Sequence, residues 1–133
     1  ASGVRYWAVR GDGAFCDGVH LQPSGCRSVG DAIAGLNGIP ERPLGTRQSR
    51  MFGAAALDLC LVAAGVLDAY VDCASEAHGV WDYLAASHIC REAGAVVADA
   101  FGRDLVVLEH AARRTPIAAA TPELLSALVE RRR

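Results

Sequence analysis

Apolar and polar positions alternate near the start of the chain, over residues 4–9. This period of two residues is typical of a half-buried strand. Glycine-containing turns follow at 11–13 and 17–18, and the second is an Asp-Gly pair, which is common in tight hairpins. The pattern therefore predicts three short antiparallel strands, over 4–9, 14–15 and 19–21.

The longest apolar run covers residues 51–64, in which Asp58 is the only charged residue. Its length and its alanine content favour a helix over a strand. A helix that is apolar on nearly all sides is expected to be buried between two layers of the fold. Gly65 suits the position just past the helix end, where a left-handed backbone is common. We expect Asp58 to be a buried hydrogen-bonding group.

Predicted strands and predicted helices alternate after residue 50. Helical spacing recurs over 81–92, and a Thr-Pro pair predicts the start of a last helix over 122–129. Glycine and proline predict a loop over 37–46. Short apolar runs predict strands over 33–36, 67–71, 95–98, 105–108 and 116–120. The sequence therefore predicts one α/β domain over 1–133, arranged as an α/β or a layered α+β sandwich.

Composition excludes several classes of function. The formal net charge of −2 gives no electrostatic reason to expect a nucleic acid partner. No apolar run approaches the roughly 18 residues that a membrane-spanning helix needs, so no membrane partner is expected. The five cysteines form no Cys-x-x-Cys pair, which argues against a zinc site and fits a reducing cytoplasm. Cys60 and Cys90 lie in helical patterns and are predicted to be core residues.

Asp82 is the residue with the clearest chemical options. It stands in the first turn of the predicted helix over 81–92, where a carboxylate is favoured by the helix dipole and by free backbone N–H groups. A purely structural role would explain it. A carboxylate oxygen is also the hard ligand that Mg²⁺ prefers, so a metal role is the alternative.

The same segment resembles the C-terminal signature of the inositol monophosphatase family. The resemblance rests on several residues at definite spacings, namely Trp81-Asp82, Ala85-Ala86, Ile89 and Glu92-Ala93-Gly94. It implies the C-terminal half of that family's αβαβα sandwich and a Mg²⁺-dependent phosphatase activity. It also implies that Asp82 binds a catalytic Mg²⁺.

Three other segments agree with the resemblance in the same order along the chain. The stretch 7–18 is similar to the family's strand, glycine turn and hairpin, with Asp17 in place of asparagine. The stretch 50–59 resembles the segment that offers backbone N–H groups to the substrate, which implies substrate binding by Gly53, Ala54 and Ala55. Asp72 falls where the family has an acid that accepts hydrogen bonds from substrate hydroxyls.

Two departures from the family pattern affect the functional expectation. The upstream motifs that supply the other metal ligands and help to activate water are absent, and the chain begins at Ala1 in what looks like the middle of the pattern. We therefore expect a fragment or a processed product, with a natural short chain as the alternative. The stretch 29–50 is also short, and 37–47 cannot hold a helix of normal length.

The expected function is hydrolysis of a small phosphate monoester such as inositol monophosphate, incomplete in the isolated chain. The alternative is a non-catalytic domain that binds a sugar phosphate or a partner. The resemblance further implies a small phosphorylated sugar or polyol as ligand, a homodimer and a cytoplasmic location. His78 stands four residues before Asp82, but we expect it to be an exposed loop residue.

Overall fold

A computed structural model describes residues 3–132, so the ends of the predicted domain at 1–2 and 133 lie outside the described part. The strands are β1 Tyr6–Val9, β2 Gly13–Cys16, β3 Val19–His20, β4 Ile33–Asn37, β5 Gln48–Arg50, β6 Ala69–Asp72, β7 Val96–Asp99 and β8 Pro116–Ala119. The helices are α1 Ala55–Ala63, α2 Val80–Ala93 and α3 Pro122–Arg132, with a 3₁₀ turn at Val29–Asp31.

The first three strands form a small antiparallel sheet in the order β1-β2-β3. Trp7 lies opposite Phe15 in its register, and the two rings stack at 4.5 Å between centroids. The turn between β2 and β3 has positive φ at both Asp17 (47°) and Gly18 (83°). That is the backbone that a two-residue hairpin needs, and it confirms the prediction from the Asp-Gly pair.

The second sheet has five strands in the order β5-β4-β6-β8-β7. Strand β4 runs parallel to both β5 and β6, whereas β8 pairs antiparallel with β6 and β7. Strands β6 and β8 are buried at every position, as expected for the centre of a sheet that is covered on both faces.

Helices cover both faces of the five-stranded sheet. Helices α1 and α2 pack against each other on one face, and the small sheet closes over α2. Their shared core includes Leu59, Tyr70, Tyr83 and Cys90. Helix α3 covers the other face with Leu124 and Leu128, which pack on Val71 and Ile117. The predicted layered α/β sandwich is confirmed, and so is the burial of Cys60 and Cys90.

One predicted strand is wrong. Residues 105–108 form no strand, and Val106 and Leu108 are 56% and 99% exposed. Val106 N donates instead to Asp104 Oδ1 (2.9 Å), a local turn bond that diverts the backbone from sheet pairing. The short stretch over 38–47 contains no helix, as predicted.

Candidate active-site cleft

Helix α1 begins later than predicted, because Gly53 and Ala54 turn the chain before it. Gly53 has φ +79°, a left-handed backbone that glycine adopts without strain. Ala54 is extended (φ −145°, ψ 98°) and stands at the N-cap, but its methyl group cannot accept a hydrogen bond. The first helical bond is Asp58 N to Ala54 O at 3.0 Å.

The start of α1 therefore presents unused donors. The N–H groups of Ala55, Ala56 and Leu57 precede the first helical bond, and none has a partner within residues 3–132. The helix dipole adds partial positive charge at the same place. An uncapped helix start of this kind favours an anion such as phosphate.

Helix α2 begins in the opposite way, with its own carboxylate bonded to its N-cap. Asp82 Oδ2 accepts from Gly79 N at 3.0 Å, while Asp82 N donates to Gly79 O at the same distance. This is the acidic arm of a capping box, and it holds the side chain in one orientation. The Asp82 side chain is still 39% exposed, so it can reach a ligand.

The two helix starts meet in one open cleft of about 350 Å³. It is lined by Gly53, Ala54, Ala55, Ala56, His78, Trp81 and Asp82. The structure thus brings together four of the five residues that the sequence singled out. The start of α1 and the acidic residue in the first turn of α2 therefore line the same space.

Asp72, the fifth residue, does not line the cleft. It ends β6 and is fully buried, with Oδ1 accepting from Asn37 Nδ2 (2.9 Å) and from Ala74 N (3.0 Å). Its Oδ2 has no hydrogen-bond partner in the described part of the chain and lies 3.5 Å from His78 Nε2. Burial raises the pKa of Asp72, although the bond from Asn37 opposes that rise.

His78 is not the exposed loop residue that we expected. Only 14% of its side chain is exposed, and its Nε2 lies 3.2 Å from both Asn37 Nδ2 and Tyr70 Oη. A backbone bridge to Arg114 fixes its position. His78 therefore separates the buried Asp72 from the cleft, and its Nδ1 is 3.8 Å from Asp82 Oδ2. Asn37 and Tyr70 were missed because nothing in the sequence connects them to His78.

Three further titratable groups, Cys60, Cys90 and Asp58, are buried away from the cleft lining. Burial raises the pKa of Cys60 to about 11 and that of Cys90 to about 12, which keeps both thiols protonated and unreactive. Asp58 is 1% exposed, as predicted, but its Oδ1 accepts no hydrogen bond within the described residues. Its burial raises its pKa to about 6.

Trp81 forms one wall of the cleft, and three neighbours hold its ring. A Cβ on Gly79 would clash with the indole, so the ring packs directly on that glycine. The ring of His110 stacks on the indole at 4.7 Å and 27°. The guanidinium carbon of Arg113 lies 5.2 Å from the Trp81 ring centroid, within cation–π range.

The donor set within residues 3–132 supplies only part of a magnesium site. No group of three or more His, Cys, Asp or Glu residues among them is arranged to hold a metal ion. Mg²⁺ requires six oxygen ligands in a near-octahedral shell. Asp82 offers one accessible carboxylate, whereas the free oxygen of Asp72 is buried behind His78. A tight site would therefore need oxygen ligands from outside the described residues.

Comparison with known proteins assigns the family. The model of the inositol monophosphatase family matches residues 1–133, and the chain belongs to that family. It is 32% identical over 127 residues to the fructose-1,6-bisphosphatase/inositol-1-monophosphatase of Methanothermobacter thermautotrophicus, covering 90% of this chain and 45% of that protein. It is 34% identical over 114 residues to inositol monophosphatase 1 of Xenopus laevis, covering 73% and 39%.

Solved structures show the same fold. A Pyrococcus horikoshii protein with similarities to inositol-1 monophosphatase superposes with a TM-score of 0.82 at 26% identity, over 96% of this chain and 52% of that one. The SuhB protein of Bartonella henselae gives 0.78 at 26%, over 98% and 53%. The chain thus spans about half the length of these relatives. The family is a phosphatase family that is generally metal-dependent.

Proposed function

We propose that this chain forms the phosphate-facing C-terminal portion of a Mg²⁺-dependent phosphatase that hydrolyses a small phosphate monoester such as inositol monophosphate. The observation that carries the proposal is the cleft itself, in which the uncapped start of α1 and the carboxylate of Asp82 face one space. An anion site beside a carboxylate that can bind a cation is the arrangement that metal-assisted phosphate hydrolysis needs.

In this proposal, the start of α1 holds the phosphate. The N–H groups of Ala55 and Ala56 donate to phosphate oxygens, and Gly53 lets the backbone come close because it carries no side chain. The absence of a side-chain cap at Ala54 leaves these donors available to the ligand. Gly53, Ala54 and Ala55 therefore bind through backbone groups alone.

The carboxylate of Asp82 takes the metal. Its bond from Gly79 N orients the side chain before any ligand arrives, and its exposure leaves room for a cation next to the phosphate. A bound Mg²⁺ would polarise the phosphate and activate a water molecule. Asp72 would accept a hydrogen bond from a sugar hydroxyl only after His78 moved, since that ring lies between Asp72 and the cleft.

The isolated chain is proposed to be catalytically incomplete. Its relatives are about twice as long, and within residues 3–132 the cleft contains one carboxylate, whereas phosphate hydrolysis with two metal ions needs ligands for both ions. The same observation favours the alternative function, in which the chain binds a sugar phosphate or a partner without hydrolysing anything.

A cytoplasmic location and a homodimer remain part of the proposal. No helix among the described residues is long and apolar enough to span a membrane.

Phosphate release from inositol 1-phosphate tests the proposal. We expect none from the 133-residue chain alone, and Mg²⁺-dependent release when the chain is joined to the upstream half of the Methanothermobacter relative. An Asp82→Asn version of the fusion is the matched control and should be inactive but folded. A folded fusion that binds inositol 1-phosphate without hydrolysing it would support the non-catalytic alternative.

A further inference from the structure

The cleft offers few polar side chains to the alcohol part of a bound ester. Gly53 and the alanines at 54–56 line it without a polar side-chain atom, and the Trp81 indole that forms its wall is 54% exposed. The other two lining residues within 3–132 are His78 and Asp82. Since Asp82 takes the metal in the proposed function, His78 decides what a hydroxyl on the ligand meets.

The buried neighbours of His78 fix which ring nitrogen carries the proton. Asn37 Nδ2 lies 2.9 Å from Asp72 Oδ1 and 3.2 Å from His78 Nε2, and Tyr70 Oη lies 3.2 Å from the same ring nitrogen. An amide nitrogen can only donate, so Nε2 accepts from it, and the proton of the neutral ring is then on Nδ1. Nδ1 lies on the side of Asp82, 3.8 Å from its Oδ2. The ring therefore presents a donor to the cleft.

Asp72 is the acceptor that a ligand hydroxyl cannot reach. It is fully buried, and its Oδ2 has no hydrogen-bond partner in the described part of the chain. That oxygen lies 3.5 Å from His78 Nε2, on the side of the ring away from the cleft. A hydrogen bond to a carboxylate is about twice as strong as one between neutral groups, so the ring withholds the strongest contact that a hydroxyl could make here.

We infer that His78 is a specificity-determining residue that keeps Asp72 away from the hydroxyls of the ligand. The cleft then selects phosphate monoesters of apolar alcohols over those of polyols, because the alcohol meets alanine methyl groups and an indole. This inference rests on the proposed function for the phosphate at the start of α1. It adds a preference for the alcohol part, which the phosphate site alone does not define.

Fluorescence of Trp81 provides the test with the chain as it exists. Trp81 and Trp7 are the two tryptophans. Trp7→Phe keeps an aromatic stack on Phe15 in the hairpin sheet and leaves Trp81 as the reporter. Cyclohexyl phosphate and inositol 1-phosphate have the same phosphate on a six-membered carbon ring and differ in their hydroxyls. Titrated in parallel, cyclohexyl phosphate should bind at least as tightly as inositol 1-phosphate.

Three variants decide the cause of that order. His78→Ala should reverse it, with inositol 1-phosphate bound about tenfold more tightly, as one charge-assisted contact to Asp72 allows. The fold should persist, because the bridge between residues 78 and 114 uses backbone atoms alone. Asp72→Asn added to His78→Ala should cut the gain below threefold, since a neutral amide oxygen is a weaker acceptor. His88→Ala, on α2 outside the cleft lining, is the matched control and should keep the parent order.

The outcomes separate this inference from the proposed function. Tighter binding of inositol 1-phosphate by the parent chain, or the same order in the parent and in His78→Ala, would overturn the inference and leave the proposed function standing. A gain in His78→Ala that survives Asp72→Asn would overturn it as well. Absence of binding by either ester would contradict both.

Discussion

The two helices that meet at the cleft begin in opposite ways. Helix α1 starts at Ala54 without a side-chain cap, whereas α2 starts at Gly79 with its backbone N–H bonded to the carboxylate of Asp82. A missing side-chain cap destabilises a helix by about 1 kcal/mol. Helix α1 is therefore less stable than it would be with a serine in place of Ala54. The difference supports the proposed ligand site, because unused donors occur at one helix start and an oriented carboxylate at the other.

Removing the carboxylate at the start of α2 should have the largest effect. In the fused enzyme, Asp82→Asn should lower Mg²⁺-dependent turnover at least about a thousandfold, since a neutral amide is a poor ligand for Mg²⁺. Circular dichroism should show the same fold, with a stability loss of about 1 kcal/mol from the weakened cap. Turnover within tenfold of the parent would contradict the metal role of Asp82.

The buried acid in the first turn of α1 should make folding depend on pH. The pKa of Asp58 rises from 3.8 to about 6 in the folded chain, because burial disfavours its charge. Its contribution to stability is therefore complete below pH 3.8 and is lost as pH rises through about 6. Urea unfolding should show a loss of at most about 3 kcal/mol between pH 4 and pH 7.

Asp58→Asn is the matched control for that pH dependence. It should flatten the stability profile between pH 4 and pH 7, apart from the slope that Asp72 contributes, since burial raises its pKa too. Asp99 acts in the opposite sense at lower pH, because bonds from Arg103 and Thr115 hold its pKa at about 2. A parent profile that rises from pH 4 to pH 7 would contradict this account of Asp58.

Crowding the N-cap of α2 should disturb the wall of the cleft without unfolding the chain. Gly79→Ala places a methyl group against the Trp81 ring, which must then move away from its stack with His110. We expect a destabilisation of about 1 kcal/mol and a changed Trp81 emission in the Trp7→Phe background. Gly94→Ala, at the far end of α2, should leave that emission unchanged, although it also costs stability because Gly94 has φ +99°.

Adding a cap to α1 should have the smallest and opposite effect. Ala54→Ser supplies a side-chain oxygen for the N–H groups of the first turn and should stabilise the chain by about 1 kcal/mol. The serine should compete with an anion for one donor and add a hydroxyl contact of its own, so phosphate affinity should change less than threefold. A fall of tenfold or more would mean that the hydroxyl contact does not offset the lost donor, and an unchanged stability would contradict the missing cap at Ala54.

The layered fold could be predicted from the sequence, and so could the residues at the starts of two helices. Thr121 caps α3, with Leu124 N donating to its Oγ1 at 3.3 Å, and Asp82 occupies the first turn of α2. Strand β5 was missed because Gln48–Arg50 is polar and exposed, and it is defined only by its parallel register with β4. The start of α1 at Ala55 was not predicted, because the sequence is apolar on both sides of it over 51–57.

The roles of the site residues stay predictions. The resemblance to the family singled out Gly53, Ala54, Ala55 and Asp82, and the structure brings all four to one cleft. The environment of His78 could not be predicted, because it depends on the pairing of β4 with β6, which places Asn37 opposite Asp72. Contacts between distant strands have no local signal in the sequence.

The central claim is that the start of α1 binds the phosphate of a small ester. The most direct test is a titration of the ¹⁵N-labelled chain with inositol 1-phosphate, following backbone amide shifts. We predict saturable shifts at the amides of Gly53, Ala55 and Ala56 and at the indole of Trp81, with little change at Trp7. Shifts confined to other parts of the chain, or none at millimolar ligand, would contradict the account.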